Sequence, residues 1–180
     1  PVTQAQWQAV MGTNPSSSTK HPECPVEMVS WEDVQIFLRK INDMTGGRYR
    51  LPTEAEWTFA ARGGNHSRGY KYAGSNNLED VGWYRKNSRS KTHVVGSKQP
   101  NELGLYDMSG NVWEWCSDWY DENYFKTTVL YNPKGPDLGT RRVYRGGGWL
   151  SGPERCSVFN RDGRSPGIRR NALGFRLAAS

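Results

Sequence analysis

Val34, Phe37, Leu38 and Ile41 recur at intervals of three and four, so they share one face of a helix. Ser30 opens that helix, with Asp33 three residues on as a capping-box-like partner, and Gly46-Gly47 stops it. An earlier helix is predicted over residues 3–11, capped by Thr3 and ended by Gly12. Residues 13–25 then form a loop rich in Pro and Ser. A third helix follows Arg50-Leu-Pro-Thr-Glu-Ala-Glu-Trp57, where Thr53 and Glu56 make a second capping box. Trp57, Ala60 and Ala61 give it an inward face, the small alanines allow close approach of a neighbour, and Gly63-Gly64 closes it.

The pattern changes beyond residue 65. Residues 65–99 are polar with scattered aromatics and read as a long loop, with a short strand near Val94-Val95. Loops this long are usually functional or held by specific ligands. Residues 101–119 are the most aromatic part and include a short strand at Val112-Trp-Glu-Trp115. A second loop spans residues 121–140, punctuated by Asn132-Pro133 and Gly135-Pro136. Arg142-Val-Tyr-Arg145 is a strand, and residues 173–178 form a final strand pairing near it. With no internal repeat and no linker, residues 1–180 form one domain.

Composition narrows the class. Hydrophobic residues are only 35% of the chain while aromatics are 12%, with eight Trp, so a few large rings build the core. Twenty Gly and ten Pro fit a loop-rich α+β domain with short strands and two to three helices, not a helical bundle or an all-parallel sheet. The net charge of +6 is unevenly placed, since residues 141–176 hold many Arg against only Glu154 and Asp162. That stretch is either a solvated basic face or a surface that attracts acidic partners. Nucleic acid is not expected, because no Lys/Arg run or nucleic-acid module is present. Cys24, Cys116 and Cys156 give no disulfide framework and no zinc spacing, although one disulfide beside one free thiol is compatible with them. No apolar run reaches membrane-spanning length. His21, His66 and His93 are isolated from each other, and Arg145-Gly-Gly-Gly precedes no helix, so neither suggests a metal or phosphate site.

Four segments occur in order along nearly the whole chain: Pro1-Val-Thr-Gln-Ala-Gln-Trp7, residues 50–57, Asn101-Glu-Leu-Gly-Leu-Tyr-Asp-Met-Ser-Gly-Asn-Val-Trp-Glu-Trp115, and Arg145-Gly-Gly-Gly-Trp149 with Leu173-Gly-Phe-Arg-Leu177. Together they resemble the sulfatase-modifying-factor family, whose best-known member is the formylglycine-generating enzyme. The resemblance implies a C-type lectin fold of the formylglycine-generating-enzyme type, with its termini close together. The enzyme carries reactive cysteines two and seven positions after the tryptophan, a pair of soft thiolates suited to Cu(I). Here those positions are Ser151 and Cys156. The resemblance therefore implies an enzyme scaffold without its redox pair, and Cys156 reads as a small buried hydrophobe. A formylglycine-generating-type oxidase, or another redox enzyme using Cys156, is the alternative. The chain opens inside the first of these motifs, so the lack of a signal peptide says nothing about export.

Residues 145–177 carry a second resemblance, to the variable, target-binding proteins of diversity-generating retroelements. In those proteins a fixed frame holds scattered positions that are diversified. Trp149, Cys156, Asn160, Arg161, Pro166, Arg169, Leu173, Gly174 and Phe175 match the frame. Leu150, Ser151, Gly152, Arg155, Asp162, Gly163, Ser165, Gly167, Arg170, Asn171 and Ala172 match the variable positions. Trp149 and Phe159 are added to these as the expected ligand-binding patch, since rings and arginines dominate binding energy. The competing reading is an ordinary surface loop. The implied partner is a protein or cell-surface ligand met by a monomer at the cell surface or outside the cell. Sugar is not favoured, because neither Glu-Pro-Asn nor Gln-Pro-Asp occurs. An accessory domain of a larger protein, without a ligand of its own, is a third reading.

The family's enzymes also bind calcium. Carried across, the ligands are the carbonyl oxygens of Ser109, Gly110 and Val112 and the carboxylate of Glu114. The alternative, which is preferred, makes Glu114 the buried partner of Arg145 or Arg176. A second calcium site is not expected, since residues 84–100 lack aspartate. No cofactor is required, and calcium is at most structural.

Overall fold

The computed structural model describes residues 1–126 and 131–180. Helices α1 (Gln4–Met11), α2 (Trp31–Thr45) and α3 (Glu54–Ala61) form where the sequence places them, each opened by a reciprocal capping box: Thr3 with Gln6, Ser30 with Asp33, and Thr53 with Glu56. A single-turn helix, α4 (Leu78–Val81), lies within the stretch read as loop. Four residues are too few to show a periodicity, and Asn77 alone caps it.

The strands are β1 (Tyr49–Arg50), β2 (Trp113–Trp119), β3 (Arg142–Arg145), β4 (Asp162–Arg164), β5 (Leu173–Phe175) and β6 (Ala178–Ala179). The main sheet runs β4-β3-β2-β5, and β1 pairs with β6 in a second, two-stranded sheet. β2 is antiparallel to β3, with Glu114 opposite Arg145, and parallel to β5, with Trp113 opposite Leu173. The first residues lie against the last strands, Val2 N–H donating to the Phe175 carbonyl at 2.9 Å. Among the described residues no helix is long and apolar enough to cross a membrane.

Several expectations need correction. Val94-Val95 is not a strand: the Val95 N–H donates to the Glu23 carbonyl, and the neighbouring His93 backbone is clasped by the Asn111 side chain. Two β-branched residues do not make a strand without an edge to pair with. The strand expected at 112–115 starts at Trp113 and runs on to Trp119. The final strand is interrupted at Arg176 and Leu177, giving β5 and β6, and β5 pairs with β2, one strand away from β3. β4 falls in a stretch for which the sequence predicts no element, and it forms by pairing with β3. Of the loop expected at 121–140, residues 127–130 lie outside the described residues. The three cysteines are free and buried, so the disulfide left open above does not form.

The core is built from rings. Trp7 stacks on Phe37 at 5.2 Å, and Phe175 meets both edge-on. A second cluster gathers Trp57, Met108, Cys116, Val143 and Val158 beneath α3. Gly174, in the Leu-Gly-Phe-Arg motif, leaves room for the Val26 carbonyl, which a Cβ would strike.

Candidate ligand-binding cleft

β3 leads into Gly146-Gly-Gly148 and then Trp149, and this tryptophan organises the site. Its backbone N–H donates to the Asn111 carbonyl at 2.9 Å, and its indole Nε1 donates to the Asn171 carbonyl at 2.8 Å. The indole bond joins segments 22 residues apart and fixes the two lips of a cleft. Ser151 folds back, its N–H on the Gly148 carbonyl and its Oγ accepting from Gly148 N–H at 2.9 Å. The Ser151 carbonyl accepts from Arg85 N–H at 3.0 Å, which brings Arg85 to the rim. The short 3-10 turn Pro153–Cys156 turns Arg155 outward and Cys156 inward.

The resulting cleft encloses about 420 Å³ and is lined by Leu150, Ser151, Gly152, Arg155, Arg170, Asn171 and Ala172 of the expected patch. Trp113 and Tyr144 lie beneath, and Arg85, Glu154 and Arg164 complete the rim. A hydrogen-bonded chain supports one wall. Asp162 Oδ2 accepts from Tyr144 Oη at 2.8 Å and from Arg155 Nη2 at 2.9 Å, while Arg164 Nε donates to Tyr144 Oη at 3.2 Å. Arg155 is thereby held over the Trp113 ring, 5.6 Å from its centroid.

Not every member of the expected patch offers its side chain to a ligand in the cleft. Trp149 is only 6% exposed, so it is a clamp rather than a contact residue. Ser151 and Ala172 are also buried and form the inner wall. Asp162 acts from beneath, through Arg155. Gly163 packs on Tyr120, 2.5 Å from where its Cβ would be, and has no room for a larger side chain. Ser165 and Gly167 are exposed near the start of α2, where Trp31 N–H donates to the Pro166 carbonyl, and they do not line the cleft. Phe159 lines a different cavity, of about 680 Å³, with Phe59, Arg62 and Phe125. Arg85, Trp113 and Tyr144 were not foreseen. They reach the cleft through backbone and strand pairing that leaves no local signal.

The two positions matching the family's cysteines cannot act as a thiolate pair. Ser151 Oγ is held by the Gly148 N–H, and Cys156 is fully buried against Tyr72, Leu78, Val81 and Tyr84. Burial, reinforced by the Glu154 charge, pushes the Cys156 thiol up to about 12. Burial likewise drives Cys116 well above the ordinary thiol range. A thiol reagent at pH 7.5 should therefore leave all three cysteines of the native protein unmodified and titrate them after unfolding in guanidinium. Rapid native modification of Cys156 would contradict this placement.

Glu114, wholly buried, is paired with Arg176 rather than Arg145. Its Oε2 accepts from Trp57 Nε1 and Arg176 Nε, both at 2.7 Å, and its Oε1 accepts from Arg176 Nη2 at 2.9 Å. Burial would raise its pKa, but the Arg176 charge and these hydrogen bonds outweigh burial and hold it below the usual carboxylate range. Arg145 is held by Glu54 at 3.1 Å, and Arg161 joins the same carboxylate at 2.7 Å. The calcium set Ser109, Gly110, Val112 and Glu114 does not fit this arrangement. Its one carboxylate already holds a guanidinium on both oxygens, and that guanidinium would repel a divalent cation. Among the described residues no group of three or more His, Cys, Asp or Glu could hold a metal ion.

A family profile described as "Sulfatase-modifying factor enzyme 1-like domain" matches residues 1–180. The fold is similar to Treponema denticola variable protein 1, with a TM-score of 0.91 and 36% identity, covering 99% of this chain and 81% of that one. It is also similar to CarF, with a TM-score of 0.76 and 28% identity, covering 98% and 82% of the two chains. The formylglycine-generating enzyme of Streptomyces coelicolor is 37% identical over 194 residues, which are 98% of this chain and 59% of that enzyme. The chaperone protein LppX of Paenibacillus barcinonensis is 34% identical over 221 residues, covering 92% of this chain and 74% of that protein. The chain thus spans about three-fifths of the Streptomyces enzyme. Full-length match and shared architecture agree: the chain belongs to the sulfatase-modifying-factor family and has its formylglycine-generating-enzyme type of C-type lectin fold.

Proposed function

We propose that the chain is a non-catalytic ligand-binding domain whose cleft, between residues 150–155 and 170–172, displays diversified side chains to a protein ligand at a cell surface. The observation that carries this reading is the cleft itself. Leu150, Arg155 and Arg170 project from lips fixed by Trp149, while the two family cysteine positions hold a hydrogen-bonded serine and a buried thiol. Likeness to a variable protein supports it. Display outside the cell follows from the role, because a diversified patch is useful only where partners meet it. The purified domain should bind surface-protein preparations, and Leu150→Asp with Arg155→Ala should abolish that binding while Cys156→Ser leaves it unchanged. Binding that survives the cleft substitutions contradicts the assignment.

Kinship with formylglycine-generating enzymes favours a second reading, an oxidase that uses Cys156. A copper-loaded assay on a cysteine-containing peptide separates the two. Turnover that is lost in Cys156→Ser supports the oxidase.

A further inference from the structure

We infer that the cleft accepts an acidic protein segment, with a carboxylate gripped between Arg85 and Arg170 and an adjoining apolar side chain laid against Leu150. This rests on the reading of the cleft as a binding site, and it adds the chemistry of the partner. Four arginines line the cleft against a single acidic residue, Glu154. Elsewhere several arginines are matched, Arg145 and Arg161 with Glu54, Arg176 with Glu114, Arg169 with Asp33, and Arg50 with Glu56, while Arg39, Arg48, Arg62, Arg89 and Arg141 have no ion-pair partner among the described residues. Within the cleft, Arg155 is held by Asp162 and Arg164 by Tyr144.

Arg85 and Arg170 stand apart as unpaired arginines that share one cleft. Both are exposed, and among the described residues neither guanidinium has a hydrogen-bond or ion-pair partner. Their backbones are nonetheless fixed: Arg85 N–H donates to the Ser151 carbonyl, and the Arg170 carbonyl accepts from Met28 N–H at 2.9 Å and Leu173 N–H at 3.2 Å. Two unpaired forks on rigid anchors at one cleft suit a carboxylate, which guanidinium groups bind bidentately. Leu150, 51% exposed at the same rim, offers apolar area beside them. Glu154 in the lining, with Asp162 just behind, disfavours a continuous polyanion such as nucleic acid, which brings a charge every few ångströms.

Short random-sequence peptides displayed on phage, selected at low salt on the purified domain, test the inference. Enriched sequences should carry Asp or Glu next to an apolar residue. Their synthetic versions should bind about tenfold or more weakly to the Arg85→Gln/Arg170→Gln variant, and more weakly as salt rises. Both positions are exposed, so an unchanged melting curve certifies that variant's fold. Peptides whose binding is lost in Leu150→Asp but which show no acidic enrichment overturn the inference and leave the binding-site reading standing. If no selected peptide depends on Leu150, both fall. An oligonucleotide that displaces the acidic peptides and depends equally on the two arginines overturns the choice of a protein segment.

Discussion

Glu54→Ala should destabilise the domain by about 3–5 kcal/mol, the usual cost of removing one member of a buried ion pair. Glu54 opens α3, where its backbone N–H donates to Asp118, and its carboxylate receives both Arg145 and Arg161. Arg145 is 2% exposed and lies 5.2 Å from the Trp57 ring centroid, so without Glu54 its charge is stranded beneath the sheet with only neutral acceptors, Thr58 Oγ1 and the Val158 carbonyl. Arg161→Ala serves as the comparison, because that side chain is 21% exposed and water can reach it. It should cost far less, about 1 kcal/mol. Guanidinium unfolding followed by tryptophan fluorescence reads both. Equal losses would contradict the view that Glu54 serves chiefly to neutralise Arg145.

Glu114→Ala should be comparably severe, about 3–5 kcal/mol, because it strips Arg176 of its partner and Trp57 Nε1 of its acceptor. Glu114→Gln adds a pH signature. The folded-state pKa of Glu114 is lowered, so its contribution is full above the ordinary carboxylate pKa of about 4.3 and is lost as pH falls through the lower folded value. Glu27, Asp107 and Asp118 are shifted upward by burial and act in the opposite sense, gaining stability on acidification. Glu27 and Asp118 are common to both proteins and cancel in the difference between wild type and Glu114→Gln, which therefore reads Glu114 together with Asp107, whose upward shift the Glu114 charge reinforces. That difference should be largest near neutrality and shrink below pH 4. A gap independent of pH would contradict the assigned ion pair.

The helices were legible because capping boxes and glycine stops are written in neighbouring residues. β1, β4 and α4 were not, since two to four residues carry no period and are stabilised by partners distant in the chain. The cleft was half legible. Leu150, Arg155 and Arg170 could be picked out because a family frame surrounds them, and the bond from Trp149 to Asn171 brings them together. Depth could not be read. An irregular backbone has no alternation to separate inward from outward, so the burial of Trp149, Ser151 and Ala172 emerges only in three dimensions. β4 likewise crosses beneath Tyr120 and carries Gly163 away from the surface, a turn that loop composition does not encode. Glu114 could be narrowed to two arginine partners, but the choice of Arg176 depends on where the chain runs after β5.

The central claim is that a rigid frame presents cleft side chains that can change without disturbing it. Thermal unfolding of a set of variants randomised at Leu150, Arg155 and Arg170 together tests this most directly. Each exposed substitution should cost no more than about 0.5 kcal/mol, so most members of the set should keep one cooperative transition within a few degrees of wild type. Broad or strongly lowered transitions across the set would show that these side chains hold the fold together, and would contradict the account.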